Sequence, residues 1–205
     1  MRVYHVTTGL LSENAYFLVN EKTFEAVVID PGENYKRIKE AETVYGFKIV
    51  AALLTHGHFD HAGVCGKLQA EGVKIYISKI DAPKLSNDDN MASAFGRKFD
   101  KITCDYAFLD GETLEIAGIK IKVMLTPGHT DGSACFIVED MLFTGDTLFY
   151  ESVGRTDFAT GNKEQLVNSV FRLFALEGDY KVFPGHREFT TLSHERKHNL
   201  LVDYD

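Results

Sequence analysis

Residues 55–61 read Thr55-His56-Gly57-His58-Phe59-Asp60-His61, which places three imidazoles and one carboxylate in a single short segment. Imidazole nitrogen and carboxylate oxygen are ligands that suit zinc, iron or manganese, whereas a thiolate-rich set would indicate structural zinc or an iron–sulfur cluster. The alternative explanations are a histidine-rich surface loop or core histidines with ordinary hydrogen-bond partners. The spacing of the four side chains favours a metal site.

The residues that precede this segment predict where it lies. Residues 49–54 form an unbroken apolar run, which predicts a buried strand with the histidines in the loop at its carboxyl end. Residues two apart in an extended turn point the same way, so His56 and His58 can bind one ion while Asp60 and His61 point elsewhere. We expect Asp60 to cap a helix that continues to about residue 70.

Composition limits the class of protein. The chain has 205 residues, of which 44% are apolar and 25% charged, which is enough for one sizeable core. We expect a single domain over residues 1–205. The net charge of −8 and the lack of a basic cluster argue against a nucleic-acid partner. No apolar stretch approaches the roughly 20 residues that span a bilayer, and the N-terminus has no signal-peptide pattern. We therefore expect no membrane partner and a cytoplasmic location.

The three cysteines give no motif. Cys65, Cys104 and Cys135 are odd in number, widely separated and outside any Cys-x-x-Cys spacing, which argues against a disulfide framework or a thiolate zinc site. A thiol nucleophile paired with a histidine is the alternative, but no local sequence supports it. We expect three reduced thiols that serve in packing.

Apolar periodicity predicts two runs of strands with helices between and after them. The predicted strands lie at residues 3–6, 15–19, 26–29, 49–54, 73–77, 106–109, 113–116, 119–125, 134–138, 141–143 and 180–183. The predicted helices lie at residues 35–45, 60–70, 162–176 and 191–198. This order predicts two sheets packed face to face and covered by helices on both outer sides. Residues 86–105 fit either a plain surface excursion or a flap over the site.

Three further polar residues each follow an apolar strand and a glycine: His129, Asp146 and His186. Sites gather at strand ends in layered folds, and a preceding glycine lets the backbone approach an ion without a Cβ. With the first segment they make five histidines and two aspartates, enough for two ions if one carboxylate bridges them. Asp30 also ends a strand, where we favour a turn role over a role in supporting a ligand.

These motifs resemble those of the metallo-β-lactamase fold superfamily, and the resemblance covers essentially the whole chain. It implies an α/β (α+β) fold, a four-layer αβ/βα sandwich of two mixed sheets with the site along one edge. It implies that the first ion is held by His56, His58 and His129. It implies that the second ion is held by Asp60, His61 and His186. Asp146 would bridge both ions, and we assign catalytic roles to Asp60 and Asp146.

Within that superfamily the chain is similar to the short glyoxalase II-like (hydroxyacylglutathione hydrolase-like) hydrolases. The similarity lies in Gly145-Asp146-Thr147-Leu148-Phe149 and Val153-Gly154-Arg155-Thr156-Asp157-Phe158. Persulfide dioxygenases share the second segment, so it does not separate the two groups. The main group of zinc β-lactamases carries cysteine where Asp146 stands. We expect no C-terminal helical substrate domain of the glyoxalase II kind. Relatives often have glycine where Arg187 stands, so this side chain could narrow or charge the rim of the site.

The expected function is a dinuclear metal-dependent hydrolase that cleaves a small-molecule thioester of the hydroxyacylglutathione type with a metal-bridging hydroxide. The expected cofactors are two divalent ions, zinc first, with iron or manganese as alternatives. Arg155 is the expected contact for a glutathione-like carboxylate, with a structural salt bridge as an equal alternative. The alternative function is a mononuclear Fe(II) persulfide dioxygenase that uses His56, His58 and either His129 or Asp146. A nonenzymatic metal-binding relative is disfavoured because all seven ligand positions are filled.

Overall fold

The structure is a computed structural model that describes residues 1–202. Two six-stranded sheets form its centre. The first sheet contains, in spatial order, β1 (Arg2–Thr8), β2 (Glu13–Val19), β3 (Glu25–Ile29), β4 (Lys48–Leu53), β5 (Lys74–Ser78) and β6 (Tyr106–Phe108). The second sheet contains β7 (Thr113–Ile116), β8 (Ile119–Leu125), β9 (Ala134–Val138), β10 (Met141–Gly145), β13 (Lys181–Pro184) and β14 (Thr190–Thr191). Its spatial order is β14-β13-β10-β9-β8-β7. Between β10 and β13, the strands β11 (Leu148–Phe149) and β12 (Ser152–Val153) form a separate hairpin.

Both sheets are mixed. In the first, β1, β2 and β3 are antiparallel neighbours, and β3 through β6 run parallel. In the second, β7 through β10 are antiparallel neighbours, and β13 joins β10 in parallel. The parallel connections require crossovers, and every helix except the last one of the chain lies within such a crossover.

Five helices accompany the sheets. They are α1 (Tyr35–Tyr45), α2 (Phe59–Ala62), α3 (Cys65–Ala70), α4 (Lys163–Phe174) and α5 (Leu192–His198). Asparagine caps the two longest: the Asn34 side chain accepts from the Arg37 N–H at the start of α1, and the Asn162 side chain accepts from the Gln165 N–H at the start of α4. No helix of the described residues is long and apolar enough to cross a membrane.

Three buried clusters separate the four layers. The middle cluster joins the two sheets, and Leu53 of β4 packs there with Phe136 and Phe143 of the second sheet. The adjacent Ala52 points the other way, into a cluster with Ile38 of α1, because successive strand residues face opposite sides of a sheet. The third cluster packs the second sheet against α4 and α5. The predicted four-layer αβ/βα sandwich of two mixed sheets is confirmed.

The helix predicted over residues 60–70 is wrong in two respects. It is broken into α2 and α3, because the Val64 N–H donates to the Gly32 carbonyl instead of continuing the α2 ladder. The chain also passes so close to Gly32 that a Cβ on Gly63 would lie 3.1 Å from its carbonyl oxygen. Asp60 does not cap this helix, since α2 begins at Phe59 and Asp60 lies in its first turn.

The short strands β11, β12 and β14 were not predicted, because two residues are too few to show a periodicity. The cysteine prediction is confirmed. All three thiols are free, with Cys65 and Cys135 buried and Cys104 partly exposed.

Candidate metal centre

Three of the predicted first-ion residues converge on one point. His56 and His58 lie in the loop after β4, and His129 lies in the loop after β8 of the other sheet. The His58 Nδ1 atom is 3.0 Å from His56 Nε2 and 3.0 Å from His129 Nε2. All three side chains are buried. We call this group the first cluster.

The spacing of the first cluster fits a shared cation. A neutral imidazole nitrogen has one lone pair, so His58 Nδ1 cannot accept a hydrogen bond from both neighbours at once. Two nitrogens bound to one tetrahedral zinc at about 2.0–2.1 Å would lie roughly 3.3 Å apart, close to the 3.0 Å found here. The His129 Nδ1 atom hydrogen-bonds the Arg155 carbonyl at 2.8 Å, which leaves Nε2 free to face the other two rings.

The predicted second-ion residues Asp60, His61 and His186 form a second cluster with ligand atoms within 4.8 Å of one another. The His186 Nε2 atom lies 3.4 Å and the His61 Nε2 atom 3.8 Å from Asp60 Oδ2. The His186 Nδ1 atom hydrogen-bonds the carbonyl of Leu11 at 3.0 Å, which directs Nε2 toward the cluster.

Asp146, at the carboxyl end of β10, lies between the two clusters. Its Oδ2 is 3.5 Å from His129 Nε2 of the first cluster, and its Oδ1 is 3.4 Å from His61 Nε2 of the second. Within residues 1–202, Asp146 Oδ1 and His61 Nε2 are both buried without a hydrogen-bond partner. Unpaired buried polar atoms are costly, so this pair fits a site that a cation completes.

The electrostatics differ between the clusters. Burial and the charge of His129 lower the pKa of His58 to about 3, so this ring is neutral at neutral pH. Burial lowers the pKa of His61, but the charges of Asp146 and Asp60 outweigh burial and hold it well above its ordinary value. The pKa of Asp146 is well below its ordinary value, because His186 and His61 outweigh the opposing effect of burial. His58 of the first cluster therefore offers a neutral donor, whereas His61 of the second cluster holds positive charge among carboxylates.

Asp30 supports a predicted ligand, so the preference for a turn role alone was wrong. Its buried carboxylate accepts from the Thr55 N–H at 2.8 Å and the Thr55 hydroxyl at 2.7 Å, and its Oδ2 lies 2.9 Å from His61 Nδ1. This contact leaves His61 Nε2 to face Asp146. The order of the strands could have indicated this contact. β3 and β4 are parallel neighbours, so Asp30 and the histidine segment, which follow them, meet at one edge of the sheet. Asp30 has the left-handed φ of 47° that aspartate tolerates in a turn.

The three glycines before His129, Asp146 and His186 have different roles. A Cβ on Gly185 would lie 2.5 Å from Asp146 Oδ1, so the predicted close approach to the site applies there. A Cβ on Gly128 would instead meet the backbone of Leu166 in α4 at 2.3 Å, and one on Gly145 would meet the Thr55 hydroxyl at 2.4 Å. Two of the three glycines therefore serve packing behind the site.

A buried ion pair, which we call the brace, joins the two loops of the first cluster. The Asp81 carboxylate accepts from the Gly57 N–H at 2.9 Å and from the Thr130 hydroxyl at 2.9 Å. Lys84 donates to Asp81 at 2.9 Å and to Asp131 at 2.5 Å. Gly57 lies between two predicted ligands and Thr130 follows a third, so the brace fixes the separation of the two loops. No sequence motif indicated it.

The clusters open into a cavity of about 530 Å³. Both Arg155 and Arg187 line it, as do Met91 and Phe95 from the segment whose role the sequence left open. This segment contains two short 3₁₀ turns, and the Phe95 ring lies 5.3 Å from the Phe59 ring. Through Met91 and Phe95 the segment forms part of one side of the cavity.

The sequence matches the metallo-beta-lactamase superfamily over residues 8–186. It is 34% identical to a probable metallo-hydrolase of Streptococcus pyogenes, over 97% of this chain and 89% of the relative. It is also 34% identical to a hydroxyacylglutathione hydrolase of Haemophilus influenzae, over 87% of each chain.

Solved structures share the fold, among them two crystal structures. The BLEG-1 B3 metallo-β-lactamase superposes with a TM-score of 0.92 at 30% identity, over 98% of this chain and 100% of that chain. ETHE1 from Myxococcus xanthus superposes with a TM-score of 0.83 at 29% identity, over 98% of this chain and 84% of that chain. With the architecture and the two histidine–aspartate clusters described above, these matches show that the chain belongs to the metallo-β-lactamase superfamily.

Proposed function

We propose that this chain is a metal-dependent hydrolase that uses two divalent ions, zinc first, to cleave a small-molecule thioester of the hydroxyacylglutathione type. The observation that carries the proposal is the position of Asp146, whose two oxygens face different clusters at 3.5 Å and 3.4 Å. A carboxylate shared by two ions requires this arrangement. The hydroxyacylglutathione hydrolase of Haemophilus influenzae, 34% identical, supports the substrate class.

The seven predicted ligands divide as the clusters do. The first ion would be held by His56, His58 and His129, the second by Asp60, His61 and His186, and both by Asp146. When bound, the ions would supply the nucleophile by lowering the pKa of a coordinated water to about 7.

The chain's own contribution is to orient these donors. The hydrogen bonds of His61 to Asp30, of His129 to the Arg155 carbonyl and of His186 to the Leu11 carbonyl each fix one ring nitrogen and leave the other toward the site. Such contacts set ring orientation and ligand strength. The carboxylates of Asp60 and Asp146 balance part of the charge that two divalent ions would bring.

Among the described residues that line the cavity, neither a thiol nor an unassigned carboxylate is present to replace an activated water as nucleophile. The thiols of Cys65 and Cys135 are buried away from the cavity lining, and burial raises the pKa of Cys135 to about 11. Among the residues lining the cavity, the carboxylates are Asp60 and Asp146, which are both assigned as ligands. A thioester suits such a site, because a thiolate leaves with little help from a general acid.

The first test measures bound metal per chain together with hydrolysis of S-lactoylglutathione in oxygen-free buffer. We expect two ions per chain, turnover without oxygen, and loss of turnover after chelation. A chromogenic β-lactam should be tested in parallel, because one structural neighbour is a β-lactamase. Hydrolysis of the β-lactam without hydrolysis of any thioester would overturn the substrate class.

Two substitutions test the two-ion assignment. His186→Ala should remove the second ion, keep the first and lower kcat/KM by about 10²-fold or more, since part of the charge that stabilises the reaction is lost. His58→Ala should abolish activity whether one ion or two are used. If His186→Ala loses one ion and retains near-normal hydrolysis, the two-ion assignment is wrong.

The second candidate is a mononuclear Fe(II) persulfide dioxygenase. The observation that favours it is the superposition on ETHE1 at 29% identity over 98% of this chain. Oxygen uptake in the presence of glutathione persulfide, with one iron per chain and no anaerobic thioester hydrolysis, would select this function over the first.

A further inference from the structure

The cavity beside the clusters has walls unlike its floor. The floor is the polar surface of the predicted ligands, whereas the walls are apolar side chains from separate parts of the chain: Leu11, Met91, Phe95, Phe149, Val153 and Phe158. Such walls favour an apolar group on the substrate next to the reacting bond. Two arginines, Arg155 and Arg187, supply positive charge at the cavity.

Arg155 has its charge matched already. Its guanidinium pairs with Asp157 through two hydrogen bonds, of 2.6 Å from Nε and 2.5 Å from one terminal nitrogen. It also lies over the Phe158 ring, 4.2 Å from the ring centroid. A planar pair of this kind occupies the guanidinium face that would otherwise bind a substrate carboxylate. The structural salt bridge, one of the two roles expected for Arg155, is therefore present.

Arg187 differs from Arg155 in its partners. Within residues 1–202 it forms no ion pair, and its guanidinium lies 5.6 Å from the centroid of the Phe149 ring at the cavity wall. The side chain is exposed and follows His186 of the second cluster directly. Its charge is therefore available to a group that enters the cavity.

The backbone at Arg187 is costly for a residue with a Cβ. Its φ is +70°, in the left-handed region that favours glycine. Ser12 and Met91, which also line the cavity, have φ of 56° and 66°. Left-handed backbone at non-glycine residues gathers at ligand sites, where the side chain has a use that offsets the strain. At position 187 the side chain adds an unpaired positive charge at the cavity.

We propose that Arg187 determines substrate specificity by pairing with an anionic group on the substrate, and that the substrate is a thioester with an apolar group next to the reacting bond and a carboxylate away from it. This inference rests on the proposed thioesterase function. Arg187, rather than Arg155, is then the anion contact. The apolar walls hold the body of the substrate, and the single unpaired guanidinium selects the charged end.

The test uses two matched pairs of thioesters. In the first pair, the acyl half of one compound ends in a carboxylate and that of the other in the corresponding amide. In the second pair, the thiol halves differ in the same way. The readout is kcat/KM for each compound, with thiol release as the signal. Wild type should prefer the carboxylate in at least one pair by about tenfold or more, since hydrogen bonds to charged groups are the strong ones.

Substitutions test whether Arg187 or Arg155 contacts the anionic group. Arg187→Gln should lower kcat/KM for the carboxylate alone, so that the preference disappears while hydrolysis of the amide is kept. Arg187→Gly should also abolish the preference for the carboxylate. Glycine adopts this backbone conformation without strain, so the test still works if the glutamine variant folds poorly. Arg37→Gln, which removes an exposed arginine of α1, is the control and should keep the preference.

The outcomes are distinct. Equal hydrolysis of carboxylate and amide by wild type would overturn the role of Arg187 and leave the thioesterase proposal standing. Loss of the preference in Arg155→Gln but not in Arg187→Gln would assign the anion contact to Arg155 and overturn this inference. Failure to hydrolyse any of the four compounds or S-lactoylglutathione, with metal bound, would overturn the proposed function itself.

Discussion

The brace behind the first cluster yields a quantitative prediction for Lys84→Met. The Lys84 side chain is 4% exposed and the Asp81 side chain is fully buried. Burial lowers the pKa of Lys84, but Asp81 and Asp131 raise it more, so the pKa lies above its ordinary value and the ammonium stays charged. Methionine would fill similar space and leave the Asp81 carboxylate buried beside Gly57 and Thr130 without its cation.

Removing one partner of a buried ion pair costs about 3–5 kcal/mol. The Lys84 ammonium also reaches Asp131, whose side chain is 49% exposed, so water lies nearby and the lower end of that range applies. We expect a loss of about 3 kcal/mol in the free energy of unfolding, which for a chain of this size lowers the Tm by roughly 6–12 °C. In the double variant Asp81→Asn with Lys84→Met the loss should be smaller than the sum of the single losses, because no buried charge remains.

The assay is urea unfolding of the chelator-treated protein, followed by metal titration against a chromophoric chelator. Without the brace the two loops are held less firmly, so the affinity for the first ion should fall by about 10- to 100-fold while the affinity for the second stays unchanged. Lys74→Met is the matched control, because Lys74 pairs with Asp105 at the surface with its own side chain 63% exposed. Such a pair contributes about 0–1 kcal/mol. If Lys84→Met costs no more than this control, or weakens both ions equally, the brace does not act as described.

Three further predictions concern the site and the thiols. Asp30→Asn should lower the affinity for the second ion by about 10- to 100-fold in a chelator competition and leave the affinity for the first unchanged. An equal loss of affinity for both ions would contradict the local role of Asp30. Gly185→Ala should lower metal content without unfolding the chain, because its Cβ would lie 2.5 Å from Asp146 Oδ1; full metal content measured in the folded variant would refute this. A thiol reagent at pH 8 should modify Cys104 alone in the native protein and also Cys65 and Cys135 after denaturation, since burial raises the pKa of both buried thiols. Rapid native labelling of all three thiols would refute the packing described.

The sequence predicted those helices and strands whose limits depend on neighbouring residues in the chain. Apolar periodicity placed α1 and the strands β7, β8 and β9 at their observed limits, because each is long enough to show its period and is bounded by turn residues. The histidine segment after β4 was placed correctly for the same reason. The seven predicted ligands lie together in the structure, although their binding of metal stays a prediction, as does a cytoplasmic location.

What escaped the sequence depends on contacts between distant segments. The brace joins Asp81 to Gly57 and Thr130, and neither contact has a spacing that a motif could reveal. The helix predicted over residues 60–70 failed for a similar reason, because the Gly32 carbonyl takes the Val64 N–H from outside the helix. Local propensity sets where elements can form, and tertiary hydrogen bonds decide where they end.

Left-handed backbone at non-glycine residues occurs in this molecule both in tight hairpin turns and in longer loops at the cavity. At Ala117 and Glu139 the positive φ lies between paired strands, where a tight hairpin turn requires it. Ser12 and Arg187 lie in the longer loops that join β1 to β2 and β13 to β14, and Met91 ends a 3₁₀ turn; all three line the cavity. Each such conformation costs of order 1–3 kcal/mol and persists only where the surroundings impose it. Glycine at position 187 would relieve this strain, so we infer that the positive charge which Arg187 brings to the cavity offsets it.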